Sequence, residues 1–425
     1  MATVSGAETS TVGETSTVGL GGLVGAMTAT RLADPYPRYR EFREAAAFVP
    51  DEMAGRTITL VTRLAEASAV LAHPASGHGY GAGISYRGIA EDGLGSLLRA
   101  DPPDHTRLRR LVGRAFTPAV IEALVPEITS VAHTLLDQAI DQGRIDAVAS
   151  YARPLPLRVM CRLLGVPTAD EELFGGWADA LSRGLDPAYL LTAADKAACN
   201  TATAAFDAYF RDLIARRRRE PRADLLSRLV EIHDDGDMLT ERELLELCTL
   251  LLVAGHETTV NLISGGILAL LRNPEQLAAV RADPWLVGSA VEETLRHDPP
   301  VQFIARTILQ DADIAGYRFT RGDGAVIMIG AANRDPAAFA EPDRFRAARH
   351  TSSAGTRRHL GFGVGIHYCL GAPLARLEAD IAFRALLNRA RSITLADESP
   401  AGGALIYRPH IILRGLANLP LHLSA

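Results

Sequence analysis

Hydrophobic positions recur at helical spacing over most of residues 103–390, punctuated by Gly, Pro and Asp. The best delimited segment starts at Thr240, which forms a capping-box signature with Glu243, and runs through Leu244, Leu247, Leu250 and Leu251 to Leu271. An earlier amphipathic helix opens at Pro35 and Pro37 and carries Tyr39, Phe42 and Ala46. Strand-like patterns are short, at residues 57–61, 306–309, 324–328 and 410–413, and do not alternate with helices. Residues 76–95 are glycine-rich without a helical period and read as a long loop, a kind of segment that often carries function. The pattern predicts a mainly α fold with a small β region, not a doubly wound parallel sheet.

Composition narrows the class. The chain has 425 residues and is 48% hydrophobic, enough for a large core, and its 44 basic against 50 acidic residues leave no overall positive field for nucleic acid or an anionic membrane. Residues 1–31 repeat Glu-Thr-Ser-Thr-Val-Gly and lack a basic start followed by an apolar run, so they are expected to be a disordered tail; the length of the rest allows two or three domains or one large core. The most apolar stretch, residues 244–263, contains Glu246, His256, Glu257 and Asn261, which argues against a membrane span. Cys161, Cys199, Cys248 and Cys369 are far apart and form no Cys-x-x-Cys pair, pointing to a reducing cytoplasm rather than a disulfide or zinc framework. A cytoplasmic monomer is expected.

Two segments carry candidate chemistry. Within the long helix stands Ala254-Gly255-His256-Glu257-Thr258-Thr259, where a mid-helix glycine costs about 1 kcal/mol against alanine and a glutamate must find a partner in apolar surroundings. That segment alone is equally read as a kinked core helix whose threonines bond back to their own carbonyls. More telling is Leu360-Gly361-Phe362-Gly363-Val364-Gly365-Ile366-His367-Tyr368-Cys369-Leu370-Gly371 ahead of a helical run from Ala372. Its glycines allow backbone to fold around a sulfur and approach a flat ligand, and the following helix would aim free N–H groups at Cys369, lowering its pKa. Thiolate is the ligand that pushes electron density toward O–O cleavage at a haem iron, whereas the other three cysteines read as small buried hydrophobes.

These motifs resemble the cytochrome P-450 family of haem-thiolate monooxygenases, specifically its soluble bacterial members, from about Ala33 onward. Residues 362–371 match the Phe-x-x-Gly-x-x-x-Cys-x-Gly haem loop, Glu293-Thr294-Leu295-Arg296 the Glu-x-x-Arg element, residues 254–259 the distal-helix signature, and residues 101–110 a helix that supplies propionate ligands. The resemblance implies one catalytic domain over residues 32–425, with haem b between a long distal helix and a proximal cysteine loop. Cys369 becomes the axial ligand, Phe362 and Gly363 part of its frame, and His105, Arg109, Arg306 and His367 the propionate contacts. It also implies a proton-delivering acid and alcohol, Glu257 and Thr258; peroxide-using relatives tend to lack that pair, so turnover with dioxygen is expected. His256 receives no role.

Each match has its own physical reading. Glu293 and Arg296 lie one turn apart and can pair and reach a third partner within Asp343-Arg344-Phe345, Arg344 being the structural candidate, although the motif alone is equally an ordinary surface pair. His105 and Arg109 share a helix face suited to a carboxylate, or simply to solvent. By the resemblance the substrate roof lies on residues 76–95 and 173–225. The walls come from residues 250–254, including Leu250, Val253 and Ala254; from Val301, Gln302, Phe303 and Ile304, Gln302 being the one polar candidate; and from residues 410–412, including Ile411. Such a lining suits a largely apolar small molecule to be hydroxylated, epoxidised or oxidatively coupled, in secondary metabolism. Arg216 to Arg219 read as a solvated helix end, or as a patch for a carrier protein bearing the substrate. Electrons are expected from a ferredoxin and its reductase, with docking at Arg107, Arg110 and Arg114. The runner-up is a haem protein that binds or senses a small molecule without turnover, and the last a helical scaffold with no cofactor.

Overall fold

The computed structural model describes residues 33–53, 55–86, 96–234, 237–351, 358–396 and 405–424. The expected tail and residues 87–95 of the expected roof loop lie outside them. Pro35 and Pro37 open the first helix, Tyr36–Ala45, since proline at a helix start has no intrahelical N–H bond to lose. That helix buries Tyr36, Tyr39 and Phe42 on one face.

Five strands form the main sheet, β1 (Phe48–Met53), β2 (Arg56–Val61), β3 (Ser76–Gly77), β4 (Phe303–Ile308) and β5 (Gly324–Met328), in the order β1-β2-β5-β4-β3. All neighbours are antiparallel except β5 and β2, which pair Gly324 with Ile58 through Ile327 with Val61. The strand pattern at residues 410–413 yields no strand: Leu413 makes a single bridge to Val301, and the segment is a turn held by side chains.

Apart from a three-stranded antiparallel sheet of Arg144–Asp146, Ser392–Leu395 and Pro420–Ser424 and two short two-stranded hairpins, the remainder is mainly helical, as the periodicity predicts. The long helix spans Glu241–Arg272, and its N-terminus carries the expected capping box, with Thr240 Oγ1 accepting from the Glu243 N–H and the Glu243 carboxylate accepting from the Thr240 N–H. It runs through the main core among helices Pro154–Leu163, Glu171–Arg183, Leu286–His297 and Ala372–Arg389. A second apolar cluster, including Val61, Ile308, Phe319 and Ile327, lies on the sheet. By length and composition two helices, Pro118–Gln142 and Glu241–Arg272, could cross a membrane; the second is buried in protein along most of its length.

Candidate active site

The cysteine loop is folded by its own glycines. Gly363 and Gly365 adopt φ of +68° and +81°, and Cys369 N–H donates to the Phe362 carbonyl at 3.0 Å, closing the loop into a hairpin. A Cβ on Gly365 would lie 2.8 Å from the Leu71 carbonyl, so glycine also lets the loop seat on helix Leu64–Ala72. Helix Ala372–Arg389 follows at once, and the Gly371 and Ala372 N–H groups point at the sulfur. The expected depression of the thiol pKa is not what results: burial pushes Cys369 up, and those donors with Arg109 and Arg376 only oppose it. A cation at the sulfur would supply what the donors lack. Cys248 is fully buried and its thiol is pushed up by burial, while Cys161 is pushed up to about 12, so both behave as core residues.

Beside the loop the structure gathers His105, Arg109, Arg306 and His367, the four residues singled out from the sequence. The His105 and His367 rings are 4.1 Å apart, Arg109 donates to the Tyr368 carbonyl at 2.8 Å, and Arg306 acts electrostatically on both histidines. His367 is lowered to about 3 by burial and then by Arg306, His105 and Arg109, and its Nε2 has no hydrogen-bond partner. Cations so packed lower one another's pKa unless anions join them, and two carboxylates would resolve that. Sequence reasoning missed His78, whose ring lies 5.0 Å from His367; its backbone is fixed by Asp101, whose carboxylate accepts from the His78 and Gly79 N–H groups. It also missed Arg376, which sits 4.4 Å from the Phe362 ring centre and grips Glu292 through two nitrogens. A flat apolar group with a metal for the sulfur and two carboxylate arms, as haem has, fits this arrangement.

Between Leu247 and Ser264 of the long helix every side chain is buried except a stripe: Leu250, Leu251, Gly255 and Thr258 are partly accessible and Ala254 is exposed. Their spacing of three and four places them on one face. Glycine at 255 has a packing reason, because a Cβ there would lie 2.7 Å from Met160 Sδ, and the helix is α-helical throughout Glu241–Arg272 rather than opened at that point. Thr258 Oγ1 donates to the Ala254 carbonyl at 2.6 Å, and the Glu257 carboxylate, 1% exposed, accepts from Arg408 at 3.0 and 3.1 Å. Arg408 was not visible in any motif. His256 is fully buried with both ring nitrogens unpartnered.

Several expected wall residues face elsewhere. Val253 is buried in the core. Gln302 is wholly buried, donating to the Pro299 carbonyl and packing at Gly330 beside Tyr39, because it precedes β4 and escapes its alternation. The Phe303 ring stands edge-on to Tyr39 at 5.8 Å. Val301, Ile304 and Ile411 are half-buried, with Ile304 next to Gly363.

Glu293 and Arg296 form the expected pair, both wholly buried, at 2.7 and 2.8 Å. Arg344 is not the third side chain: it offers only its carbonyl to Arg296 while its guanidinium turns to exposed Glu341. The third partner is Arg349, which meets both Glu293 oxygens at 3.0 Å, joined by His350. Against the upward pull of burial, these donors hold Glu293 well below the usual carboxylate range. Two charge readings also change. Arg107, half-buried, pairs with Glu243 and Asp237, and Arg217, within the arginine run, is buried on Asp224 and the Gly165 carbonyl.

The family model for cytochrome P450 matches residues 188–284 and 285–400. Cytochrome P450 monooxygenase PikC of Streptomyces venezuelae is 42% identical over 404 residues, 94% of this chain and 93% of that protein. Among solved structures, the polyketide synthase cytochrome P450 PksS of Bacillus subtilis 168 superposes with a TM-score of 0.82 at 37% identity, covering 94% of this chain and 99% of that one. P450BioI in complex with a fatty-acid-ligated acyl carrier protein superposes equally well, at 35% identity over 93% of this chain and 99% of that one. With its cysteine loop, buried Glu293–Arg296 pair and long central helix arranged as described, the chain belongs to the cytochrome P450 family, whose members hold haem b through a cysteine thiolate between that helix and that loop, and it is a monooxygenase.

Proposed function

We propose that this monooxygenase hydroxylates, epoxidises or oxidatively couples a largely apolar small molecule of secondary metabolism, using dioxygen and two electrons from a ferredoxin and its reductase. The observation that carries the reading is the accessible stripe of Leu250, Leu251, Ala254 and Gly255, which is apolar and ends on Thr258 beside Glu257. An apolar wall binds an apolar substrate by excluding water, and an alcohol next to an acid is what proton delivery into such a wall requires. Haem, when bound, would supply the activation of dioxygen, and Cys369 would hold its iron while His105, Arg109, Arg306 and His367 hold its carboxylates.

Ile304, Val301 and Ile411 complete the wall. The relatives named for polyketide biosynthesis and for an acyl carrier protein complex support a substrate of that origin, free or carried on a protein. Ferredoxin docking rests on helix Asp104–Ala115, where Arg110 and Arg114 are exposed and Arg107 is half-buried.

The reading is tested by supplying a surrogate ferredoxin, its reductase, NADPH and isotope-labelled dioxygen with a panel of macrolide and acyl-carrier substrates. A product carrying one labelled oxygen, or a coupled product formed only with dioxygen, supports it. Tight substrate binding with no product from any ligand that shifts the haem spectrum would favour the non-catalytic binder instead.

A further inference from the structure

Glu257, the acid of the acid–alcohol pair, is tied to a residue that no motif contains, Arg408. Arg408 lies on a C-terminal hairpin, held there by its N–H donating to the Gly415 carbonyl at 2.9 Å and by the bridge between Tyr407 and Leu416. Gly415 packs flush against Asn261, one turn beyond Glu257, where no larger residue would fit. The hairpin is thereby set directly over the acid.

The same guanidinium nitrogen that meets Glu257 lies 3.6 Å from Asp179 on helix Glu171–Arg183. Asp179 is 44% exposed and is also bound by Arg153. That helix end grips the hairpin a second time. The buried carboxylate of Asp186 accepts from the Ile411 and Ile412 N–H groups at 3.0 Å each, and Arg183 reaches the Pro409 carbonyl at 3.3 Å. Arg408 thus stands between two carboxylates, one buried on the long helix and one at the surface on a helix the sequence assigns to the roof.

An arginine cannot hand on a proton, so the chain Glu257, Arg408, Asp179 is not a proton wire. A carboxylate pinned by a guanidinium can only accept; to donate, Glu257 must first take a proton, which becomes easier as Arg408 leans toward Asp179. The charged groups facing Glu257 are Arg408, Asp179 and Arg153, with His256 beside it on the helix. His256 is lowered to about 3, by burial first and Arg153 next, and stays neutral at working pH. Burial raises Glu257 above the ordinary range, Arg408 opposes that and Asp179 adds to it.

We propose that Arg408 is a positioning residue that sets the protonation of Glu257 by dividing itself between Glu257 and Asp179. The inference rests on the reading of Glu257 as the proton-delivering acid. The experiment follows the infrared carbonyl band of protonated Glu257 against pH in the substrate-free holoprotein, identified by its loss in Glu257→Gln. Arg408→Gln should move the midpoint of that band upward by about one to three pH units. Arg408→Lys should restore most of the shift, and Asp179→Asn should move the midpoint downward, because Arg408 is then left to Glu257 alone. In an Arg408→Gln background Asp179→Asn should then move the midpoint far less than in the parent, whereas an equal shift in both backgrounds would mean that Asp179 acts on Glu257 by its own charge alone and would overturn the division. A band seen only in Arg408→Gln also supports the proposal; unchanged midpoints, shifts of one sign in Arg408→Gln and Asp179→Asn, or a band absent from both parent and Arg408→Gln overturn it. Coupling of NADPH consumption to product in Glu257→Gln is measured alongside: if it is unchanged, the relay reading of Glu257 fails, and the band still decides the role of Arg408.

Discussion

Replacing Arg296 by leucine separates a scaffold pair from a surface pair. The Arg296 side chain is wholly buried and donates to Glu293 through Nε and Nη2, to the Asn333 and Pro342 carbonyls through Nη1 at 2.9 and 2.8 Å, and to the Arg344 carbonyl through Nη2 at 3.3 Å. Leucine withdraws all of these and leaves Glu293 with Arg349, His350 and the Arg346 N–H. Removing one member of a buried pair costs about 3–5 kcal/mol, against roughly 1 kcal/mol or less for an exposed one. With a urea m-value of about 3 kcal/mol/M, the unfolding midpoint should fall by roughly 1–2 M. The assay follows far-ultraviolet dichroism and the haem band together on the purified holoprotein, coincidence of the two transitions licensing the comparison. Turnover per bound haem should change little, because Arg296 touches no reacting group. A midpoint shift below about 0.3 M would refute the scaffold role.

Three further outcomes are expected. Gly365→Ala places a Cβ against the Leu71 carbonyl at a residue with φ of +81°, so it should cost about 1–3 kcal/mol and reduce the haem retained after purification; full haem content at parent stability would contradict the loop packing. Thr258→Ala removes the hydroxyl bonded to Ala254 and should leave haem and substrate binding intact while diverting electrons to peroxide or water, and unchanged coupling would remove Thr258 from proton delivery. Glu292 is held down to about 2 by hydrogen bonds from His359 and Arg376, which outweigh the upward effect of burial. Its folded pKa lies below the unfolded value of roughly 4.3, so its stabilisation is full above that value and fades as pH falls toward 2. Acid denaturation of Glu292→Gln should therefore be flatter than the parent's across that window, and parallel curves would refute the assignment.

Features set by neighbours in sequence were legible, and features set by distant charges were not. The Thr240–Glu243 cap, the long helix and the glycine frame of Cys369 follow from local spacing and hold as read. Glu293 and Arg296 are three residues apart and could be paired on paper, but Arg349 lies 56 positions away from Glu293, and nothing local distinguishes it from Arg344. The ion pairs of Arg107 were not legible because its partners Asp237 and Glu243 belong to segments 130 and 136 residues on. Arg408 lies 151 positions from Glu257, just ahead of residues 410–413, whose apolar pattern suggested a strand and which instead form a turn tied down by Asp186. Gln302 was assigned to the pocket wall by resemblance, but it stands just ahead of β4 and its side chain goes to the core side at Tyr39. Among the cysteines, the helix N-terminus was read correctly but its effect was overstated, since burial outweighs the donors it supplies.

The most direct test of the haem-thiolate assignment is the absorption spectrum of the purified protein, reduced and exposed to carbon monoxide, with Cys369→Ser alongside. The expected result is a strongly red-shifted Soret band in the parent that disappears in the serine variant, as thiolate ligation requires. A parent spectrum typical of histidine ligation, or a red-shifted band that survives the substitution, would contradict Cys369 as the ligand.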